Sequence, residues 1–143
     1  EHLLDNYEEK SLSLSLDEIS KNINEFSFTL LEFETAYKRR DILLSSRLVN
    51  YLNFYLITLL RYIIDRDFSL LGFKRLYKNL DNKTYEKIKD ILDLQGPSHC
   101  LECVKSNIKL FDEYLNKLPP NIKGINYEFY NFMKERINNI EGE

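Results

Sequence analysis

The chain has 143 residues, of which 43% are hydrophobic and 13% aromatic, and this is enough to build one core in a single domain. Its 20 basic and 23 acidic residues give a net charge of −3, which disfavours nucleic acid and anionic membranes as partners. With only 4 glycines and 3 prolines, the composition favours long helices over a many-stranded sheet.

Residues 1–14 are predicted to form a linker or N-terminal extension, followed by one helical domain over residues 15–143. The Ser-Leu alternation at 11–16 is also compatible with a short strand. No basic stretch followed by an apolar stretch resembles a secretory signal, so we expect a cytoplasmic protein. The first residue is Glu1 and the sole methionine is Met133, so we expect a processed chain or a piece of a longer polypeptide.

The first two helices are marked by their N-terminal residues. Ser15 and Glu18 form a capping-box pattern that predicts a helix over 16–39 with one apolar stripe. Asp41 is a plausible N-cap for a second helix that reaches about Asp65. Because this helix is apolar nearly all round, we predict that it is buried at the centre of the domain. Polar residues interrupt its apolar run, which disfavours a membrane span: Asn50, Asn53, Thr58 and Arg61.

The second half of the chain predicts further helices. A short helical piece is expected near 70–79, and Asp81 or Asn82 caps the next helix, which ends at the break at 95–97. Ser98 opens a long helix that closes at the prolines at 119–120, and a last helix starts at Tyr127. The sequence therefore predicts an all-α, up-and-down bundle of about five helices.

Carboxylates recur on the first helix. Glu18, Glu25 and Glu32 are spaced by seven residues and therefore share one helix face, and we expect Glu34 close by. Such a stripe is either a solvated polar face or a binding site for a cationic ligand. A charged Arg61 next to Tyr62 in the apolar helix predicts either a buried ion pair with a carboxylate or a cavity-lining group.

His99, Cys100 and Cys103 place a CxxC motif at a helix start. A metal site or a redox pair is one interpretation, and two cysteines facing the core is the other. The first is disfavoured because zinc needs four ligands and the only further His or Cys is His2. No phosphate-binding glycine loop and no HExxH motif occurs in the sequence.

The order of these features resembles the helical C-terminal domain of aminoglycoside adenylyltransferase-like nucleotidyltransferases, a branch of the HEPN-like bundles. The stretches that carry the resemblance are NEFSFTLL at 24–31, YKRRDIL at 37–43, LLRY at 59–62, FKRLYKNL at 73–80 and the helix pair at 98–137. This resemblance implies a HEPN-like fold. It also implies a substrate-binding domain without catalytic residues, working with a catalytic nucleotidyltransferase domain, in cis or in trans, that binds Mg and ATP.

Under this resemblance a small cationic substrate would contact carboxylates and aromatic residues on one wall of a cleft. The residues predicted for that wall are Glu25, Glu32, Glu34, Tyr37, Arg61 and Tyr62. The ribonuclease branch of HEPN-like proteins is disfavoured, because neither His2 nor His99 follows an Arg by four to six residues. The alternative function is a noncatalytic interaction module that forms a homodimer or docks on a partner protein through exposed Tyr and Phe.

Overall fold

The structure is a computed structural model that describes residues 11–142. Within this range, α-helices and short 3-10 turns are the only regular elements, which confirms the all-α prediction. The α-helices are α1 (Leu16–Lys38), α2 (Ile42–Ile64), α3 (Asn82–Asp93), α4 (Cys100–Leu115) and α5 (Tyr127–Asn138). The 3-10 turns are Arg66–Leu71, Leu76–Asn79 and Pro97–His99.

The two longest helices begin at the caps that the sequence predicts. The Ser15 hydroxyl accepts a hydrogen bond from the Glu18 amide at 3.1 Å, and the Glu18 carboxylate accepts one from the Ser15 amide at 3.0 Å. The Asp41 carboxylate accepts a hydrogen bond from the Leu44 amide at 3.2 Å. Between the helices, Arg40 adopts a left-handed conformation with φ 61°, so that α2 turns back antiparallel to α1.

The core lies where α4 and α5 pack on the α1–α2 pair. Phe26 of α1 stacks on Phe111 of α4 with ring centroids 3.7 Å apart, and Tyr130 of α5 lies 6.3 Å from Phe26. Three helices therefore meet around one aromatic cluster. The short helix α3 packs against α4 at the side of the bundle.

Residues 11–14 are attached to the bundle. The Leu70 amide donates to the Leu12 carbonyl at 2.8 Å, and the Leu14 amide donates to the Ser69 hydroxyl at 2.8 Å. These four residues are therefore held against the Arg66–Leu71 turn, without forming a strand. The rest of the predicted linker, 1–10, lies outside the described residues.

The prediction that α2 is buried on all sides is wrong for its first half. Residues 56–62 are all buried, whereas Ile42, Leu43 and Leu44 are exposed. The segment that follows α2 packs against this helix and is hydrogen-bonded to it near its end, where Arg61 donates to the Gly72 carbonyl. By length and composition alone α2 could cross a membrane, and half of its most apolar stretch is buried inside the bundle.

Candidate interaction surface

A stripe of large side chains on α2 faces solvent. Leu43 is 84% exposed and Phe54 is 50% exposed, and Leu44 and Tyr51 are exposed between them. Their spacing places them on one face of the helix. The Arg47 guanidinium lies 5.4 Å from the centre of the Tyr51 ring, so the stripe carries a positive charge in its middle. These five residues are called the α2 stripe below.

Two exposed carboxylates of α1 flank the α2 stripe. Burial raises the pKa of the Tyr55 phenol above its ordinary value, and the charges of Glu25 and Glu32 raise it further. Glu25 lines a groove together with Phe54 and Tyr55, and Glu32 lies two helical turns further along the same face of α1. Within residues 11–142, neither carboxylate forms an ion pair, and neither does Arg47. Glu25 and Glu32 are called the carboxylate edge below.

A groove of about 360 Å³ continues from the α2 stripe between α1 and α2. Among its lining residues, the Asn22 amide donates to the Tyr55 carbonyl at 3.0 Å and so joins α1 to α2. The charged side chains on its wall are Glu18, Glu25 and Lys21, so the groove has mixed charge with an acidic excess. Its other lining residues are Leu14, Phe54, Thr58, Ser69, Leu70 and Gly72.

Glu34 lies away from the carboxylate edge. It is 5% exposed, and both of its carboxylate oxygens accept from the Arg136 Nε, at 3.1 and 2.9 Å. Lys38 donates to the same carboxylate at 3.3 Å. Glu34 therefore joins α1 to α5, and the expectation that it lies near Glu25 is wrong. Nine residues separate the two, which is two and a half helical turns and places them on opposite sides of α1.

Arg61 is 3% exposed and has partners on every side. Its Nε and Nη2 atoms each donate to the Asp65 carboxylate at 3.1 Å, which realises the predicted buried ion pair. Its Nη1 atom donates to the Gly72 carbonyl at 2.8 Å and to the Lys74 carbonyl. Arg61 therefore joins the segment after α2 to the helix, and it does not line the groove between α1 and α2.

Tyr62 and Tyr37 also pack within the protein. Tyr62 is buried, and the Arg66 guanidinium lies 4.5 Å from the centre of its ring. Tyr37 is half-buried and stacks on Phe33 at 5.6 Å. Of the six residues predicted for a substrate-binding wall, the structure thus brings together Glu25 and Glu32, and it places Glu34, Tyr37, Arg61 and Tyr62 elsewhere.

Cys100 and Cys103 lie in the core as free thiols. The Cys103 thiol donates to the Ile91 carbonyl at 3.2 Å, and burial raises its pKa to about 11. Burial also raises the pKa of Cys100. Among residues 11–142, no group of three or more His, Cys, Asp or Glu side chains is placed to hold a metal ion. At neutral pH both thiols are therefore protonated and poorly nucleophilic.

Sequence reasoning missed a polar cluster beside Cys103. The Asn107 amide donates to the Asn53 side-chain oxygen at 2.8 Å, and the Asn53 amide donates to Gln95 at 3.0 Å. Asn107 is fully buried, and its side-chain oxygen is the buried polar atom of the described residues that lacks a protein partner. Asn53 is one of the polar residues that interrupt the apolar helix. Its partners, Asn107 in α4 and Gln95 before α4, are distant from it in sequence.

No protein family, characterised protein or solved structure is detectably similar to this chain. The α2 stripe and the carboxylate edge are therefore interpreted from their own chemistry.

Proposed function

We propose that this chain is a noncatalytic helical module that binds a protein partner through the α2 stripe. The observation that carries the proposal is the exposure of Leu43, Tyr51 and Phe54 along one face of the most apolar helix. A row of exposed apolar side chains along one helix face is a feature of protein interaction sites. Tyr, Phe and Arg are also enriched in the centres of protein interfaces.

The placement of the polar residues supports a binding role over a catalytic one. The side chains of Arg61 and Glu34 are held by ion pairs that join parts of the bundle. Groups used in this way support the fold and are not free to bind a substrate.

The finer fold and the identity of the partner are part of the proposal. The order of helices and the residue stretches at 24–31 and 37–43 support a HEPN-like bundle of the adenylyltransferase type. In that case a catalytic nucleotidyltransferase domain, in cis or in trans, is one candidate partner.

Site-specific photocrosslinking tests the proposal. A photoreactive phenylalanine analogue is placed at Leu43 or Tyr51 of the full chain, and at Lys123 as a matched exposed control outside the stripe. In cells of the native host, the two stripe positions are expected to give a discrete crosslinked product that the control lacks. Mass spectrometry then identifies the crosslinked protein. Products that are equal at all three positions, or absent from all, would contradict the proposal.

A second candidate function is binding of a small cationic ligand, and the groove between α1 and α2 favours it. Glu18 and Glu25 line this groove together with the aromatic rings of Phe54 and Tyr55. Carboxylates and aromatic faces both attract cations. This combination is what the substrate-side domain of an aminoglycoside-type nucleotidyltransferase would need.

Calorimetric titration with kanamycin tests this second function. If the groove binds the polycation, Glu25→Gln is expected to weaken binding by about fivefold, and salt is expected to weaken it further. Glu86→Gln, on the exposed surface of α3, serves as the matched control and is expected to leave binding unchanged. Equal heats for the two variants would exclude the groove as the binding site.

A further inference from the structure

We propose that the partner of the α2 stripe is a second copy of this chain. In the proposed dimer, the two α2 helices pack antiparallel, and Arg47 of each copy pairs with the carboxylate edge of the other. This inference rests on the proposed function, because it names the partner of the same surface.

The positions of the charges along the helices are set by the α1–α2 pairing. Asn22 is hydrogen-bonded to the backbone of Tyr55, and the two helices run in opposite directions from the turn at 39–41. Counting along both helices at the same rise per residue places Glu25 level with about residues 52–55 of α2. Glu32 is placed level with about residues 45–48. The two carboxylates therefore flank the stripe on either side of its midpoint.

A two-fold axis through the middle of the stripe brings opposite charges together. The stripe runs from Leu43 to Phe54, so its midpoint falls between residues 48 and 49. In an antiparallel pair about that point, Arg47 of one copy lies opposite residue 50 of the other. Measured along the helix axis, residue 50 of that other copy is about one helical turn from its Glu25 and about one turn from its Glu32. A long arginine side chain covers such an offset, so either carboxylate can accept from it.

The charge pattern favours a second copy over an unrelated partner. In a two-fold dimer the same patch must be complementary to itself. The stripe has a positive centre and a negative edge, and neither charge is neutralised by an ion pair within residues 11–142. Pairing two copies neutralises both, while the leucines and aromatic rings of the two stripes cover one another. Two arginines near the axis would repel each other if the carboxylates were not there.

A charge-swap experiment with the full chain tests the dimer by sedimentation velocity over about 1–200 µM. The wild-type chain is expected to dimerise in this range. Arg47→Glu is expected to raise the dimer dissociation constant at least tenfold, because in each half of the interface it places an acidic group against the two carboxylates of the other copy's edge. Adding Glu25→Arg and Glu32→Arg to Arg47→Glu is expected to restore dimerisation to within about threefold of wild type. Lys89→Glu on α3 is the matched charge-reversal control and should change nothing.

All substituted positions are exposed, so helix content measured by circular dichroism should be unchanged in every variant. A wild-type chain that is monomeric at all concentrations overturns the dimer. If the stripe nevertheless crosslinks to another protein, the proposed function stands and only the identity of the partner is wrong. A dimer that is insensitive to Arg47→Glu, or that the triple variant does not restore, also overturns this interface.

Discussion

The two halves of α2 have similar apolar sequences and opposite surroundings. Residues 56–62 are buried, whereas the helix start at 42–44 is exposed, as are Tyr51 and Phe54. In the buried half, Arg61 donates a hydrogen bond to the backbone of the segment that follows α2. Among the described residues, the exposed residues of the first half have no comparable bond to another segment. Apolar character alone therefore does not tell whether a stretch of helix belongs to the core or to a binding surface. The outcome depends on whether another part of the chain packs against that stretch.

The largest expected difference between the two halves comes from trimming one leucine in each. Leu60→Ala should lower the free energy of unfolding by about 3 kcal/mol, because Leu60 is fully buried and its removal leaves a cavity. Leu43→Ala should change it by less than about 0.5 kcal/mol, because Leu43 is mostly exposed. Urea unfolding followed by circular dichroism measures both. Equal losses would mean that the first half of α2 is also covered.

Removing the hydrogen bonds of Arg61 at the end of α2 should have the next largest effect on the free energy of unfolding. Arg61→Ala removes the donors to Asp65, Gly72 and Lys74, and we expect a loss of about 2 kcal/mol. Water can still reach these partly exposed acceptors, which keeps the loss below that of a fully buried pair. Arg66→Ala is the matched control: it removes the cation–π contact on the Tyr62 ring and one long hydrogen bond to the Tyr62 carbonyl, at 3.3 Å, and should cost less than about 1 kcal/mol. A larger loss from Arg66→Ala than from Arg61→Ala would show that the contacts of Arg66 with Tyr62 contribute more to the stability of this end of the helix.

Ser69 joins the N-terminal residues to the buried half. Its hydroxyl accepts from the Leu14 amide and donates to the Arg66 carbonyl, both at 2.8 Å. Ser69→Ala should therefore cost about 1 kcal/mol and speed amide hydrogen exchange at Leu14. Exposed Ser98→Ala should do neither. Unchanged exchange at Leu14 would mean that the attachment of residues 11–14 does not depend on this hydroxyl.

The last comparison concerns pH at the buried face of α2, where Cys103 contacts Asn53. The folded thiol has a pKa of about 11 against an ordinary 9.0, so the unfolded chain releases its proton first as pH rises. The stabilisation from the neutral thiol is therefore complete below about pH 9 and is lost between about pH 9 and 11. Wild type should lose more stability than Cys103→Ala over that window in pH-dependent urea unfolding. Parallel curves would contradict a buried neutral thiol.

Local signals made much of the fold predictable. Ser15, Glu18 and Asp41 act through residues three positions away, so the starts of α1 and α2 could be placed from sequence. Of the two interpretations of Arg61, the buried ion pair is confirmed: its partner is Asp65, the C-cap of α2, four residues later. The start of α4 was less well placed, because Pro97–His99 forms a separate 3-10 turn and the α-helix begins at Cys100 rather than just after Ser98.

Long-range contacts set the limits of prediction for the candidate site. Glu34 forms an ion pair with Arg136, which is 102 residues away in sequence, and Asn53 is hydrogen-bonded to Asn107, which is 54 residues away. Neither pairing has a periodic signature. The exposure of Leu43 was equally hidden, because it depends on which part of α2 the following segment covers. The separation of Glu34 from Glu25, in contrast, could have been read from their nine-residue spacing.

Gly72 shows how a torsion angle can dictate residue identity. It has φ 56° and ψ −119°, and a methyl group built on its Cα would meet no atom within 4 Å. Space is therefore available for a side chain, but this backbone conformation is accessible essentially to glycine alone. In a library that randomises position 72, selection for folded protein should return glycine at a site with ample room. Alanine at position 72 would require different backbone torsion angles, which would turn the carbonyl of residue 72 away from Arg61.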